Sequence, residues 1–154
     1  MNNNEFKRIV KKNTYQLLIF TSRASLPAIG ISHTWLVTNK KGKMSRWELL
    51  FRKEKNTRRW GHLYLNHFRA TVGVEIIPFY GHYFWKSKLL AKIEWKSAEQ
   101  LIKTIENSKK TYPYKNIYHF IGPNCNTYVQ YILNKHPKIK IKLPWNALGK
   151  GWKQ

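Results

Sequence analysis

The run Gly122-Pro123-Asn124-Cys125-Asn126-Thr127-Tyr128 constrains the fold more than any other segment of this chain. A Gly-Pro-Asn stop precedes the cysteine, and an amphipathic stretch from Thr127 to Lys135 follows it. The thiol is therefore expected in the first turn of a helix that ends near His136-Pro137. Unpaired N–H groups and the positive end of the helix dipole stabilise a thiolate there. Cys125 is also the only cysteine, so the chain cannot form an internal disulfide. That fits a reducing compartment.

Length and composition set the frame. The chain has 154 residues, 42% hydrophobic and 15% aromatic. It is expected to fold as one domain over residues 1–154, with residues 1–13 as a flexible basic N-terminus. The formal net charge is +22, from 29 Lys and Arg against 7 Glu and no Asp. Such a charge suits an anionic partner, either nucleic acid or an anionic membrane surface. Lysine outnumbers arginine 22 to 7 and is spread from Lys7 to Lys153, which equally fits a codon-biased, solvated surface. No run approaches the ~20 apolar residues of a membrane span. The apolar run from Tyr15 to Phe20 is too short for a signal peptide. A cytoplasmic protein is expected, with peripheral membrane association as an alternative.

Tyr15–Thr21, Ile31–Thr38 and Ser45–Arg52 read as strands, the last two forming a hairpin through a turn at Asn39–Met44. A loop spans Ser22–Gly30 and a basic loop spans Lys53–Trp60. Residues 61–95 carry mixed signals, with Val72–Phe79 the best strand. Ser97 with Gln100 resembles a capping box, followed by an apolar face of Leu101, Ile102 and Ile105 and a stop at Pro113. Ile139–Leu143 reads as a short strand. The pattern is α+β.

A nucleophilic cysteine needs a base, and six histidines are candidates. His136 is excluded, since 11 residues of helix separate it from Cys125 by roughly 16 Å. His62 and His67 read as surface residues and His82 as a turn residue. His119 is near in sequence, but the chain must reverse at Gly122-Pro123 for it to help. His33 starts an apolar strand and shares a face with Ile31, Trp35 and Val37. If Thr38 pairs with Ser45, Glu48 lies diagonal to His33 on that face, and a one-residue slip removes it. His33 and Glu48 are thus the candidate base and its orienting group. The plainer readings are a strand-capping histidine and a surface carboxylate balanced by Arg46 or Arg52. Cys125, aligned with Tyr128, Val129 and Ile132, equally suits a buried core position. Backbone N–H groups near Cys125, with the side chains of Asn124 or Asn126, are candidate oxyanion donors.

A histidine on a strand, a polar residue on the next and a cysteine at a helix start resemble the circularly permuted branch of the NlpC-like papain-fold enzymes. Lecithin–retinol acyltransferase-like proteins belong to that branch. The chain also resembles, over most of its length, a bacterial family of unknown function. That likeness rests on His33-Thr34-Trp35, Trp47-Glu48, Tyr112-Pro113, the Gly122–Tyr128 run and a late Leu143-Pro144-Trp145-Asn146-Ala147-Leu148-Gly149-Lys150. Serine often stands in those relatives where Cys125 stands here. The resemblance implies a papain-like antiparallel sheet packed against a helix with Cys125 at its N-terminus.

The expected activity is a cysteine hydrolase or acyltransferase acting on an amide, ester or thioester carbonyl of an acyl or peptide substrate, with the protein a monomer. The alternative is a non-catalytic basic module that binds nucleic acid or an anionic membrane. Arg58-Arg59-Trp60 and Lys86-Ser87-Lys88 beside Trp85 are its best local candidates. No metal-ligand spacing and no phosphate-loop glycines occur, so neither metal nor cofactor is expected.

Overall fold

Residues 15–51 run as three consecutive antiparallel strands, and the reason is visible in their side chains. β1 (Tyr15–Arg23) and β2 (Ser32–Lys40) are buried along almost their whole length, and β3 (Lys43–Phe51) is buried from Arg46 to Leu50. Both faces of this part of the sheet are covered, so the apolar residues run on without strict alternation. The computed structural model describes residues 1–53 and 59–153. It shows α+β architecture, with an antiparallel five-stranded sheet and three helices among the described residues. β4 (Gly61–Leu65) pairs with β3, and β7 (Lys88–Glu94) pairs with β1, giving the order β4-β3-β2-β1-β7. β5 (Val72–Glu75) and β6 (Phe84–Lys86) form a separate two-stranded ribbon.

One face of the sheet presents Leu17, Ile19, Leu36 and Leu49 to helices α2 (Trp95–Thr111) and α3 (Cys125–Asn134). From the helices, Ala98, Leu101 and Ile105 meet Val129 and Ile132 in one apolar cluster. The other face buries Leu18, Phe20, Trp35 and Val37, partly under Phe6 and Ile9 of helix α1 (Asn3–Ile9). The basic N-terminus, expected to be a flexible arm, thus contains a helix. Asn2 and Glu5 cap it reciprocally, and Phe6 lies 6.2 Å from Phe20.

The β2–β3 hairpin turns through Lys41 and Gly42 alone, both at positive φ (52° and 99°). Such paired left-handed residues match the twist of the flanking strands. The turn is therefore tighter than the expected Asn39–Met44, and the register, with Thr38 opposite Ser45, is the one anticipated.

Other expectations need correction. Helix α2 starts at Trp95 rather than at a Ser97 cap, because β7 runs directly into it. Glu94 stands at the N-cap but makes no cap bond, since Gln16 and Lys11 bind its carboxylate. Residues 76–79 are not strand, as β5 stops at Glu75. Ile139–Leu143 is not a strand either. Ile139, Ile141 and Leu143 pack on the helical core instead. Residues 54–58 of the anticipated basic loop lie outside the described residues. No described helix is long and apolar enough to cross a membrane.

Candidate active site

β2 and β3 part company partway along their length. Their ladder ends at Leu36 opposite Trp47. Beyond it β2 stays paired with β1 as far as Ser32, while β3 stays paired with β4 as far as Phe51. The strands therefore fork, and the candidate residues occupy the fork. His33 comes from one arm and Glu48 from the other, with His33 Nε2 3.0 Å from Glu48 Oε2. The diagonal relation expected from the register is present even though no backbone bonds hold that stretch. His33 and Glu48 are both buried.

Glu48 is no surface carboxylate. Arg46, two residues earlier on the same face, donates from Nη2 to Glu48 Oε2 at 2.7 Å. The Arg46 guanidinium is buried against Trp35, 4.3 Å from the ring centroid. Its Nη1 bonds the carbonyls of Arg69 and Val72. Burial alone would raise the Glu48 pKa, but Arg46 and His33 outweigh it and hold the carboxyl below its usual range. The sequence pointed to Arg46 only as a balancing surface charge. Its period-two spacing from Glu48 was the available signal.

Cys125 opens helix α3, and the cap explains its position. Asn124 Oδ1 accepts from the N–H groups of Asn126 (3.0 Å) and Thr127 (3.3 Å). Thr127 Oγ1 accepts from Asn124 N–H in return. Of the four N–H groups that helix geometry leaves without intrahelical partners, these bonds use three, and the fourth belongs to Cys125. Asn126 then ties the helix to β2. Its Oδ1 accepts from Thr34, and its Nδ2 donates to the carbonyls of Ser32 and Leu148, both at 2.9 Å.

The side-chain oxyanion roles expected of Asn124 and Asn126 are not supported by these bonds. Each amide carries two N–H donors. Asn124 spends both on the carbonyls of His119 and Phe120. Asn126 spends both as just described. An Asn126→Ala variant loses three bonds, two of them buried, and a stability loss of about 2–4 kcal/mol is expected in urea titration. Gly149 closes this cap from outside. A Cβ there would lie 2.7 Å from both Asn124 amide atoms, and its φ is +84°. Gly149→Ala is expected to lower the urea midpoint by an amount corresponding to about 1–3 kcal/mol.

The thiol faces the His33 ring. Burial would raise the Cys125 pKa, but His33, the Thr34 N–H and the Tyr118 hydroxyl bring it below the ordinary thiol value. Burial would likewise lower His33, but Cys125 and Glu48 hold it up at about 9. Both shifts act in the direction of a thiolate–imidazolium pair. Tyr118, which sequence reasoning missed, places its hydroxyl 3.7 Å from the Cys125 sulfur. Burial and the nearby thiolate keep this phenol protonated well above its usual range. Gly61 permits the approach: a Cβ there would lie 2.4 Å from the Tyr118 nitrogen.

Cys125, His33 and Tyr118 are among the residues that line a cavity of about 390 Å³. His62 is buried on β4, contrary to expectation, and bonds the Arg59 carbonyl. His67 and His82 are exposed. The chain does reverse at Gly122-Pro123, with His119 N–H donating to the Pro123 carbonyl, yet His119 lines a different cavity beside Trp152.

The aromatics proposed for base stacking are engaged. Trp60 stacks on Phe51, while Trp85 bonds the Ala24 carbonyl and lies under Arg23. Arg58 lies outside the described residues.

A family model described as a protein of unknown function, DUF3750, matches residues 14–152. The chain belongs to this family. The match to DUF3750 includes the whole five-stranded sheet, both long helices and the Leu148-Gly149 segment that closes the cap. No curated protein matches the chain, and no solved structure does.

Proposed function

We propose that this DUF3750 protein is a cysteine hydrolase or acyltransferase, with Cys125 as nucleophile, His33 as proton carrier and Glu48 as its orienting group. The observation that supports it most is the convergence of three buried groups, Cys125, His33 and Glu48, from a helix start and two strands, with Cys125 and His33 lining an open cavity. The order of a strand histidine, a carboxylate on the next strand and a cysteine at a helix start is also that of the permuted NlpC-like enzymes. We read the protein as a distant papain-like relative on that basis.

In the proposed reaction the Cys125 thiolate attacks an acyl carbonyl carbon and forms a C–S bond. The carbonyl oxygen becomes an oxyanion, received by the Cys125 N–H, with the Tyr118 hydroxyl as second donor. The bond to the leaving group breaks, and that group takes the proton of the His33 imidazolium. Neutral His33 then takes a proton from water or an acceptor hydroxyl or amine. The oxygen or nitrogen of that acceptor attacks the thioester, and the thiolate leaves. Glu48 stays ionised throughout and steadies the imidazolium.

The pH dependence of alkylation by iodoacetamide tests the site. Wild-type Cys125 is expected to react well below pH 8, and His33→Ala to slow the reaction at pH 6–7 by about tenfold per unit of lost thiol acidity. A thiol that is inert, or that titrates near about 8.5 whether or not His33 is present, overturns the proposal. Acyl turnover adds a second limb. It is expected to fall at low pH as the thiolate is protonated. It should fall again as pH rises through about 9, where His33 gives up the proton the leaving group needs.

A further inference from the structure

The lining of the cavity beside Cys125 is mostly apolar, and most of its polar members are engaged within the fold. Leu26, Leu50, Phe68, Val74, Phe79 and Phe120 are among its apolar lining. Among the polar side chains, Ser25 donates to the Glu75 carbonyl and Ser32 to Asn146. Arg52 and Glu75 pair with each other, and the Glu75 carboxylate also takes the Phe79 N–H. Asn124 and Asn126 serve the helix cap. Beside Cys125, His33 and Tyr118, the one other charged group of the described lining is the Arg52–Glu75 pair, in which Arg52 uses one of its five N–H donors.

The backbone of the β1–β2 loop offers little more. The N–H groups of Ala24, Leu26, Ala28 and Ile31 are each bonded within the fold, and Pro27 has none. An extended peptide would need such partners along its length, because burying its amides unpaired is costly. An aliphatic chain needs none. At about 30 Å³ per water-sized group, a cavity of about 390 Å³ holds roughly a dozen such groups, far more than an acetyl group fills.

We infer that the cavity is an acyl-chain site, and that the substrate is an ester or thioester of a medium- or long-chain aliphatic acid rather than a peptide. The inference rests on the cysteine chemistry proposed above for its catalytic consequence, but the binding site stands on the wall residues alone. The chain lies along the apolar walls and presents its carbonyl carbon to the Cys125 sulfur. Water then releases the free acid, or an acceptor takes the acyl group.

Two measurements separate the site from the chemistry. The first is calorimetric titration of Cys125→Ala protein with octanamide and acetamide. Saturable binding of octanamide alone is expected. Phe120→Asp, a charge on an exposed wall position, and Ala28→Trp, which fills the cavity, should each weaken it at least about tenfold. No octanamide binding, or binding indifferent to both substitutions, overturns the inference.

The second is kcat/KM on the acetyl and octanoyl thioesters of N-acetylcysteamine and on blocked peptide amides. The octanoyl substrate should exceed the acetyl one by at least about 50-fold. Equal rates, or a preference for peptides, overturn the acyl-chain site and leave the cysteine chemistry standing. Octanamide binding without turnover of any substrate does the reverse: it supports the cavity assignment and overturns the proposed function.

Discussion

Arg46→Ala is expected to destabilise the fold by about 3–5 kcal/mol, the usual cost of removing one partner of a buried ion pair. The Arg46 side chain is about 1% exposed and that of Glu48 0%. Without the guanidinium, the Glu48 carboxylate keeps only His33 as a partner, and the carbonyls of Arg69 and Val72 lose their donor. Glu48 Oε1 already has no partner among the described residues, so no spare bond softens the loss.

Urea unfolding at neutral pH measures the effect. The double variant Arg46→Leu with Glu48→Leu gives the control. It removes both charges, so it should recover a large part of the loss while leaving His33 without an orienting carboxylate. A loss below about 1 kcal/mol for Arg46→Ala would mean that the carboxylate is solvated or protonated, and the description of this buried network would fall.

Cys125→Ser is expected to reduce acyl turnover by on the order of 10⁴–10⁶-fold, the scale seen when a nucleophile that works as part of a unit is lost. The two atoms differ little in size, so the fold should be retained. What changes is the charge. A serine hydroxyl does not ionise at neutral pH, and the His33 imidazolium then loses the opposite charge that holds its pKa at about 9. Burial, which lowers the His33 pKa, is left opposed by Glu48 alone. NMR titration of the His33 ring should therefore show a lower pKa in Cys125→Ser than in wild type, together with the loss of turnover. Turnover within tenfold of wild type would show that the sulfur is not the nucleophile.

The parts of the site legible in the sequence are those governed by local rules. A Gly-Pro-Asn stop before an amphipathic run placed Cys125 at a helix start. A two-strand pattern with a glycine turn, together with period-two alternation, placed Glu48 diagonal to His33 on the same face. Tyr118 was not legible, because its position depends on the close pass of Gly61 and on the chain reversal at Pro123. The role of Arg46 was hidden for another reason. A charge beside a carboxylate reads as surface unless the covering residues are known, and here they come from residues 69–72.

The same distinction separates the strands. β1 to β3 carry long apolar runs. β7 holds Lys88, Lys92 and Glu94 on a half-buried sheet edge and pairs with residues more than 65 positions earlier. The helix start at Trp95 was missed because Glu94, the actual N-cap, spends its side chain on β1 and the N-terminal segment.

The helix cap at Cys125 also has a consequence for the timing of synthesis. Thr127 donates to the Gly149 carbonyl and Asn126 to that of Leu148. Chain growth from the N-terminus therefore delivers His33, Glu48 and Cys125 before the segment that fastens the helix start in place. A nascent chain on the ribosome would carry all three side chains while still lacking this clasp. The helix start at Cys125 would be fastened only once Leu148 and Gly149 have been translated and have folded back onto it.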